Sequence, residues 1–65
     1  MDTNKIKTRL IEARGEKTLA TVAKETGLTA QALCNYEAGL RIPRDEVKQI
    51  LAKYYGTTVQ ELFYD

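Results

Sequence analysis

Leu19-Ala20-Thr21-Val22-Ala23-Lys24-Glu25-Thr26-Gly27-Leu28-Thr29-Ala30-Gln31-Ala32-Leu33-Cys34-Asn35-Tyr36-Glu37-Ala38 is the stretch that decides the fold. It reads as two short helices with a turn between them. Leu19, Val22, Ala23 and Thr26 recur at helical spacing and mark one buried stripe; Leu33 and Tyr36 mark another. Thr18 stands where the first helix wants an N-cap, and Thr29 does the same for the second. Gly27 falls just past the first helix, where a left-handed residue is needed and glycine enters without strain. Helices that cross steeply after a short turn need a small side chain at their closest approach, and Ala23 supplies one. Val22, Leu28, Leu33 and Tyr36 then lock the crossing, and the outer face of the second helix is left to project.

Helical periodicity extends outward on both sides. Ile6, Leu10 and Ala13 recur at i, i+4 and i+7 and predict a first helix from about Thr3 to Arg14, ended by Gly15. The helix that opens at Ala30 runs to Ala38 and stops at Gly39. Arg41-Ile42-Pro43-Arg44 follows as a connector whose proline cannot continue a helix but can open one. A fourth helix is predicted from about Arg44 to Tyr55, with Val47, Ile50, Leu51 and Tyr54 on one face and Gly56 at its end. Thr58-Val59-Gln60-Glu61 matches a capping box, in which Thr58 and Glu61 satisfy each other's amides, and opens a short last helix ending in Leu62 and Phe63. No strand pattern, repeat or internal linker interrupts this. The expectation is an all-α fold, five short helices around one core, in a single domain over residues 1–65.

Composition narrows the chemistry. At 65 residues the chain is one domain, and a chain of this size buries only about 60% of its unfolded surface. With one cysteine, Cys34, and no histidine, it can form no internal disulfide, no zinc cluster and no Cys–His or Ser–His–Asp catalytic set. An enzyme, a metal site and a cofactor are therefore not expected. The amphipathic N-terminus lacks the apolar core of a signal peptide, and nothing approaches the length of a membrane span, so a cytoplasmic protein is expected. Net charge is only +1, but it is unevenly spread. Lys5, Lys7, Arg9, Arg14, Lys17 and Lys24 outweigh Asp2, Glu12 and Glu16 in the first part, whereas Asp45, Glu46, Glu61 and Asp65 outweigh Lys48 and Lys53 in the last. One end toward phosphate and the other toward a partner would suit that balance.

The chain resembles the Xre, or phage repressor and Cro-like, helix-turn-helix family. Lys17-Thr18-Leu19-Ala20-Thr21-Val22-Ala23 is similar to the start of that family's second helix, and Gly27-Leu28-Thr29 to its turn. Ala30 to Gly39 with Arg41 and Pro43 resembles its recognition helix and the loop beyond, with Glu37 and Gly39 at the family's Glu-x-Gly. Residues 52–63 resemble its closing segment. The resemblance implies a lambda-repressor-like DNA-binding domain whose helices 2 and 3 form the helix-turn-helix. It further implies a repressor-like transcriptional regulator that binds double-stranded DNA. One small module reads few base pairs, so a homodimer on an inverted-repeat operator is expected, and the resemblance implies helices 4 and 5 as its contact surface. Leu19 departs from the family, which usually has a phosphate-contacting Gln there.

On that basis Gln31 and Asn35, four apart on one helical face, are candidate base readers; the bland alternative is a solvated polar pair. Ala30 and Ala32 either meet thymine methyl groups or merely permit close approach. Thr29, Arg41, Arg44, Lys17 and Thr18 are candidate phosphate contacts, with Thr18 and Thr29 first of all caps. Glu37 is expected to pair with Arg14. Tyr36, Tyr54, Tyr55 and Phe63 read as core or dimer-interface aromatics, and Cys34 as a non-catalytic thiol. A competing reading is a protein-interaction module, antirepressor-like or antitoxin-like, that retains the fold without specific DNA binding.

Overall fold

The structure is a computed structural model, described over residues 3–64; Asp2 and Asp65, counted in the charge balance above, lie outside the described residues. Five helices follow one another: α1 (Thr3–Arg14), α2 (Leu19–Thr26), α3 (Ala30–Glu37), α4 (Asp45–Tyr54) and α5 (Val59–Phe63), with no strand among the described residues.

α2, α3 and α5 each begin on a threonine cap. The hydroxyls of Thr18, Thr29 and Thr58 accept the amides of Thr21, Ala32 and Glu61, each at 3.1 Å, and so satisfy first-turn donors that have no partner within the helix. At Gly27 the backbone turns left-handed, φ 78°, and its amide bonds Ala23 O at 3.0 Å. Beyond α3 the chain closes a Schellman motif. The amide of Gly39 reaches Tyr36 O at 3.2 Å and that of Leu40 reaches Asn35 O at 2.9 Å. The capping box at α5 forms only by half. Glu61 gives its amide to Thr58, but its carboxylate accepts the Thr57 hydroxyl at 2.8 Å. Pro43 does not open α4. It is buried two residues ahead of Asp45, and Arg44 stands at the N-cap without a side-chain bond. Asp45 and Glu46 in the first turn complement the helix dipole instead.

The core gathers Ile6 and Leu10 from α1, Val22 from α2, Leu33 and Tyr36 from α3, Leu51 and Ala52 from α4, and Leu62 and Phe63 from α5. α1 packs on α3 and α5, α2 on α3 and α4, and α4 on α5. Two apolar stripes differ from their expected phase. On α1 the stripe continues from Leu10 to Arg14, and Ala13 is exposed. On α4 it is turned toward Lys48 and Ala52, both buried, while Ile50 is 40% exposed and Tyr54 half-buried.

Lys48 is buried because its charge has somewhere to go. Its Nζ donates to the Tyr64 hydroxyl at 2.9 Å, lies 4.9 Å from the centre of that ring, and stands 3.8 Å from the exposed Asp45 carboxylate. Its methylenes then contribute to the core while its ammonium stays paired. Arg9 donates to the Tyr64 carbonyl at 3.0 Å, so the residue after α5 is held from α1 and from α4 together.

Leu51 is fully buried. Leu51→Ala is expected to lower the unfolding free energy by about 2–5 kcal/mol, whereas Ile50→Ala, a turn-mate on the exposed side, stays near about 0.5 kcal/mol. Urea denaturation of both variants checks this, and equal losses would contradict the phase described for α4.

Candidate nucleic-acid interface

α3 has two unlike sides. Leu33, Tyr36 and Glu37 are buried. On the other side Ala30, Gln31 and Cys34 are exposed and Asn35 is half-buried beside them. Gln31 Nε2 donates to Asn35 Oδ1 at 3.1 Å, so the two amides form one bonded pair on that surface. Ala32 does not join them. It is half-buried and packs against the core, which turns it away from the surface that carries Gln31. The sole charged residue of α3 is Glu37, and it is buried. The outward face of α3 thus carries no charge, in a chain in which 29% of residues are charged. α1 and α4 expose Lys5, Lys7 and Glu12, and Asp45, Glu46 and Lys53, respectively.

Glu37 is buried because Arg14 meets it. Arg14 Nε donates to one carboxylate oxygen at 2.8 Å and Nη2 to the other at 3.0 Å, a two-pronged pair across α1 and α3. Arg14 Nη1 also donates to the Lys17 carbonyl at 2.6 Å. One guanidinium thus fixes the end of α1, the approach to α2 and the end of α3. The hydrogen bond and charge of Glu37 raise the Arg14 pKa above its ordinary value.

The residues around α3 divide by what already occupies them. The Thr29 hydroxyl is exposed and caps α3. The Thr18 hydroxyl accepts the Thr21 amide and donates its own proton to Thr21 Oγ1 at 2.9 Å, so its donor is spent inside the protein. Leu19 is half-buried against the core, and its side chain has no group that could bond a phosphate. Arg41 and Arg44 are both exposed in the segment after α3.

Lys17 is drawn elsewhere. Its Nζ donates to the Tyr54 hydroxyl at 3.0 Å, lies 4.6 Å from the centre of that ring and stands 3.6 Å from Glu25 Oε1. The Tyr54 hydroxyl in turn donates to Glu25. The relay links the approach to α2, the body of α2 and the end of α4. Tyr54 therefore serves as a polar hub, with its ring edge-on to Tyr55 at 5.2 Å. Nothing in the spacing of Lys17, Glu25 and Tyr54 signals this network. Only the packing of α2 on α4 brings them together.

The family model for the helix-turn-helix matches residues 10–62, a span that contains the whole of α2 to α4. The chain belongs to the Xre-like helix-turn-helix family. It is thereby a helix-turn-helix DNA-binding regulator in general type, with α2 and α3 as the two helices that give the family its name. No curated protein and no solved structure matches it. No helix of this family member is long and apolar enough to cross a membrane, and no cluster of residues that could hold a metal occurs, both among the described residues.

Two outcomes test this framework. Arg14→Ala and Glu37→Ala are each expected to destabilise the fold by about 1–3 kcal/mol, because each leaves the other charge half-desolvated. The double variant costs much less than their sum, and additive losses in chemical denaturation would refute the coupling. The second concerns acid. The Tyr54 hydrogen bond and the charge of Lys17 hold Glu25 below its ordinary pKa of 4.5. Its stabilisation is therefore in place above that pH and is lost as falling pH protonates the folded carboxylate. Tyr54→Phe is expected to lower the thermal midpoint at pH 7 and to change it less at pH 3; an equal deficit at both would trace the loss to packing.

Proposed function

We propose that this protein is a sequence-specific regulator of transcription that lays α3 in the major groove of double-stranded DNA. The observation that carries this reading is the uncharged outer face of α3, with Gln31 and Asn35 exposed or half-exposed on it and Arg41 and Arg44 exposed beyond its end. A charge buried against base edges without a partner is costly, and a carboxylate there would also meet phosphate repulsion. Amides and small side chains suit that environment. They bond base edges, and Ala30 leaves room for close approach or meets a thymine methyl group.

The remaining contacts follow from position. Arg41 and Arg44 serve phosphates on one side of the groove, and the capped N-terminus of α3 at Thr29 serves the other, through backbone amides and the helix dipole. Thr18 contributes through its backbone, since its hydroxyl is spent on Thr21. Lys17 is the weakest of the phosphate contacts, because Tyr54 and Glu25 compete for it. One small module reads few base pairs, so the protein acts as a homodimer on an inverted repeat, with half-sites about 34 Å apart. The exposed side of α4, where Ile50 lies among Asp45, Glu46 and Lys53, supports a self-contact through the α4–α5 end. Occupying such an operator blocks transcription, a repressor-like action.

A second reading, a protein-interaction module that retains the fold without specific DNA binding, draws on Leu40, 78% exposed, and Ile42, 42% exposed, in the same segment as Arg41. Selection from a random duplex library at moderate salt separates the two. An enriched inverted repeat supports the groove reading, and no enrichment at any salt supports the protein partner. Arg41→Ala is expected to weaken binding to every duplex and to reduce the slope of log affinity against log salt by about 0.9. Gln31→Ala relaxes base preference and leaves that slope unchanged. If both variants retain wild-type affinity and preference, the face has been wrongly assigned.

A further inference from the structure

Within the groove reading just given, on which this inference rests, we propose that Asn35 is a positioning residue for Gln31 and does not read a base itself. The pair then selects adenine over guanine at one position of the half-site. A glutamine amide carries two N–H donors beside its carbonyl acceptor. Free in solvent, it turns about its last torsion and presents either edge, so it suits adenine and guanine in different poses. In this protein one N–H of Gln31 is already spent on Asn35 Oδ1, at 3.1 Å. On this proposal the spent N–H is the one turned away from the Gln31 carbonyl, and what remains is a single N–H beside that carbonyl. That pattern complements the adenine edge, whose N7 accepts and whose N6 amino group donates. It clashes with guanine, whose N7 and O6 both accept, because the Gln31 carbonyl would then face O6.

The two residues are not equivalent in place. Gln31 is exposed and nearer the start of α3, the end that meets base edges in helix-turn-helix docking. Asn35 is half-buried one turn further along, where it can hold Gln31 from behind. Holding the amide before DNA arrives removes one rotation that binding would otherwise freeze, and it fixes which edge leads.

The test compares wild type with Gln31→Ala, Asn35→Ala, the double variant and Asn35→Asp. Each is titrated against duplexes that carry adenine or guanine at the position whose preference Gln31→Ala abolishes. Asn35→Ala is expected to reduce the adenine-to-guanine ratio about tenfold, as Gln31→Ala does, and the double variant no further. Asn35→Asp keeps an oxygen for Gln31 but loses the Asn35 amide donors. It preserves the ratio while its charge weakens binding to every duplex. In the free protein, side-chain 15N relaxation of the Gln31 amide shows more motion in Asn35→Ala than in wild type. Circular dichroism verifies that every variant is folded.

An Asn35→Ala protein that retains the Gln31-dependent preference overturns the inference and leaves the groove reading intact. So does one whose altered preference lies at a different base pair, since Asn35 would then be a reader in its own right. Equal loss of the ratio in Asn35→Asp and Asn35→Ala, or unchanged mobility of the Gln31 amide, overturns it as well. A wild type with no base preference anywhere overturns the groove reading, and this inference with it.

Discussion

The guanidinium of Arg14 is the constraint on which the arrangement of the first three helices depends. It spends two donors on Glu37 and a third on the carbonyl of Lys17, so α1, the lead into α2 and the end of α3 share one anchor. A half-buried ion pair adds little net stability over a well-packed apolar substitute. Its effect lies in what it forbids. Any arrangement that separates Arg14 from Glu37 strands a carboxylate that is 9% exposed, and such arrangements are penalised far more than the native one is rewarded. A chain of this size, with a small core, gains definition from that penalty.

Around the anchor, α3 keeps its two duties apart. Leu33, Tyr36 and Glu37 attach it to the protein, and the opposite face is left to Ala30, Gln31, Cys34 and Asn35. Its ends are managed separately, by the Thr29 hydroxyl at the front and by the Gly39–Leu40 backbone bonds at the back. The helix therefore holds its position without help from the side chains that face outward. The Lys17–Tyr54–Glu25 relay and the Lys48–Tyr64 contact perform the corresponding task for α4 and the segment after α5.

Much of this was legible in the residues. Helix limits lie within a residue or so of expectation, because Thr at the caps and Gly past the ends act locally, through backbone geometry and amide bonding that need no tertiary context. The Arg14–Glu37 pair was expected from the family resemblance and stands in the structure. What failed was the phase of stripes that meet two neighbours. α4 packs on both α2 and α5, so its buried arc is wide, and Lys48 enters it because a long aliphatic stem can be covered while its ammonium is paired. Ala13 and Ile50 match helical spacing yet face outward, since spacing sets a period and not which neighbour arrives where. Ala32 pairs with Ala30 by size alone, yet it packs against the core. The turning of Lys17 toward Tyr54 depends on a contact between residues far apart in sequence.

The separation of duties along α3 bears on inheritance. Apart from the Gln31–Asn35 bond, no side-chain hydrogen bond or ion pair of the described structure involves the outward residues of that helix. Substitutions there leave the core, the caps and the Arg14 anchor untouched. After a gene duplication, two copies of such a protein can diverge at a few outward positions and come to govern different sets of genes, with no compensating change elsewhere in the fold.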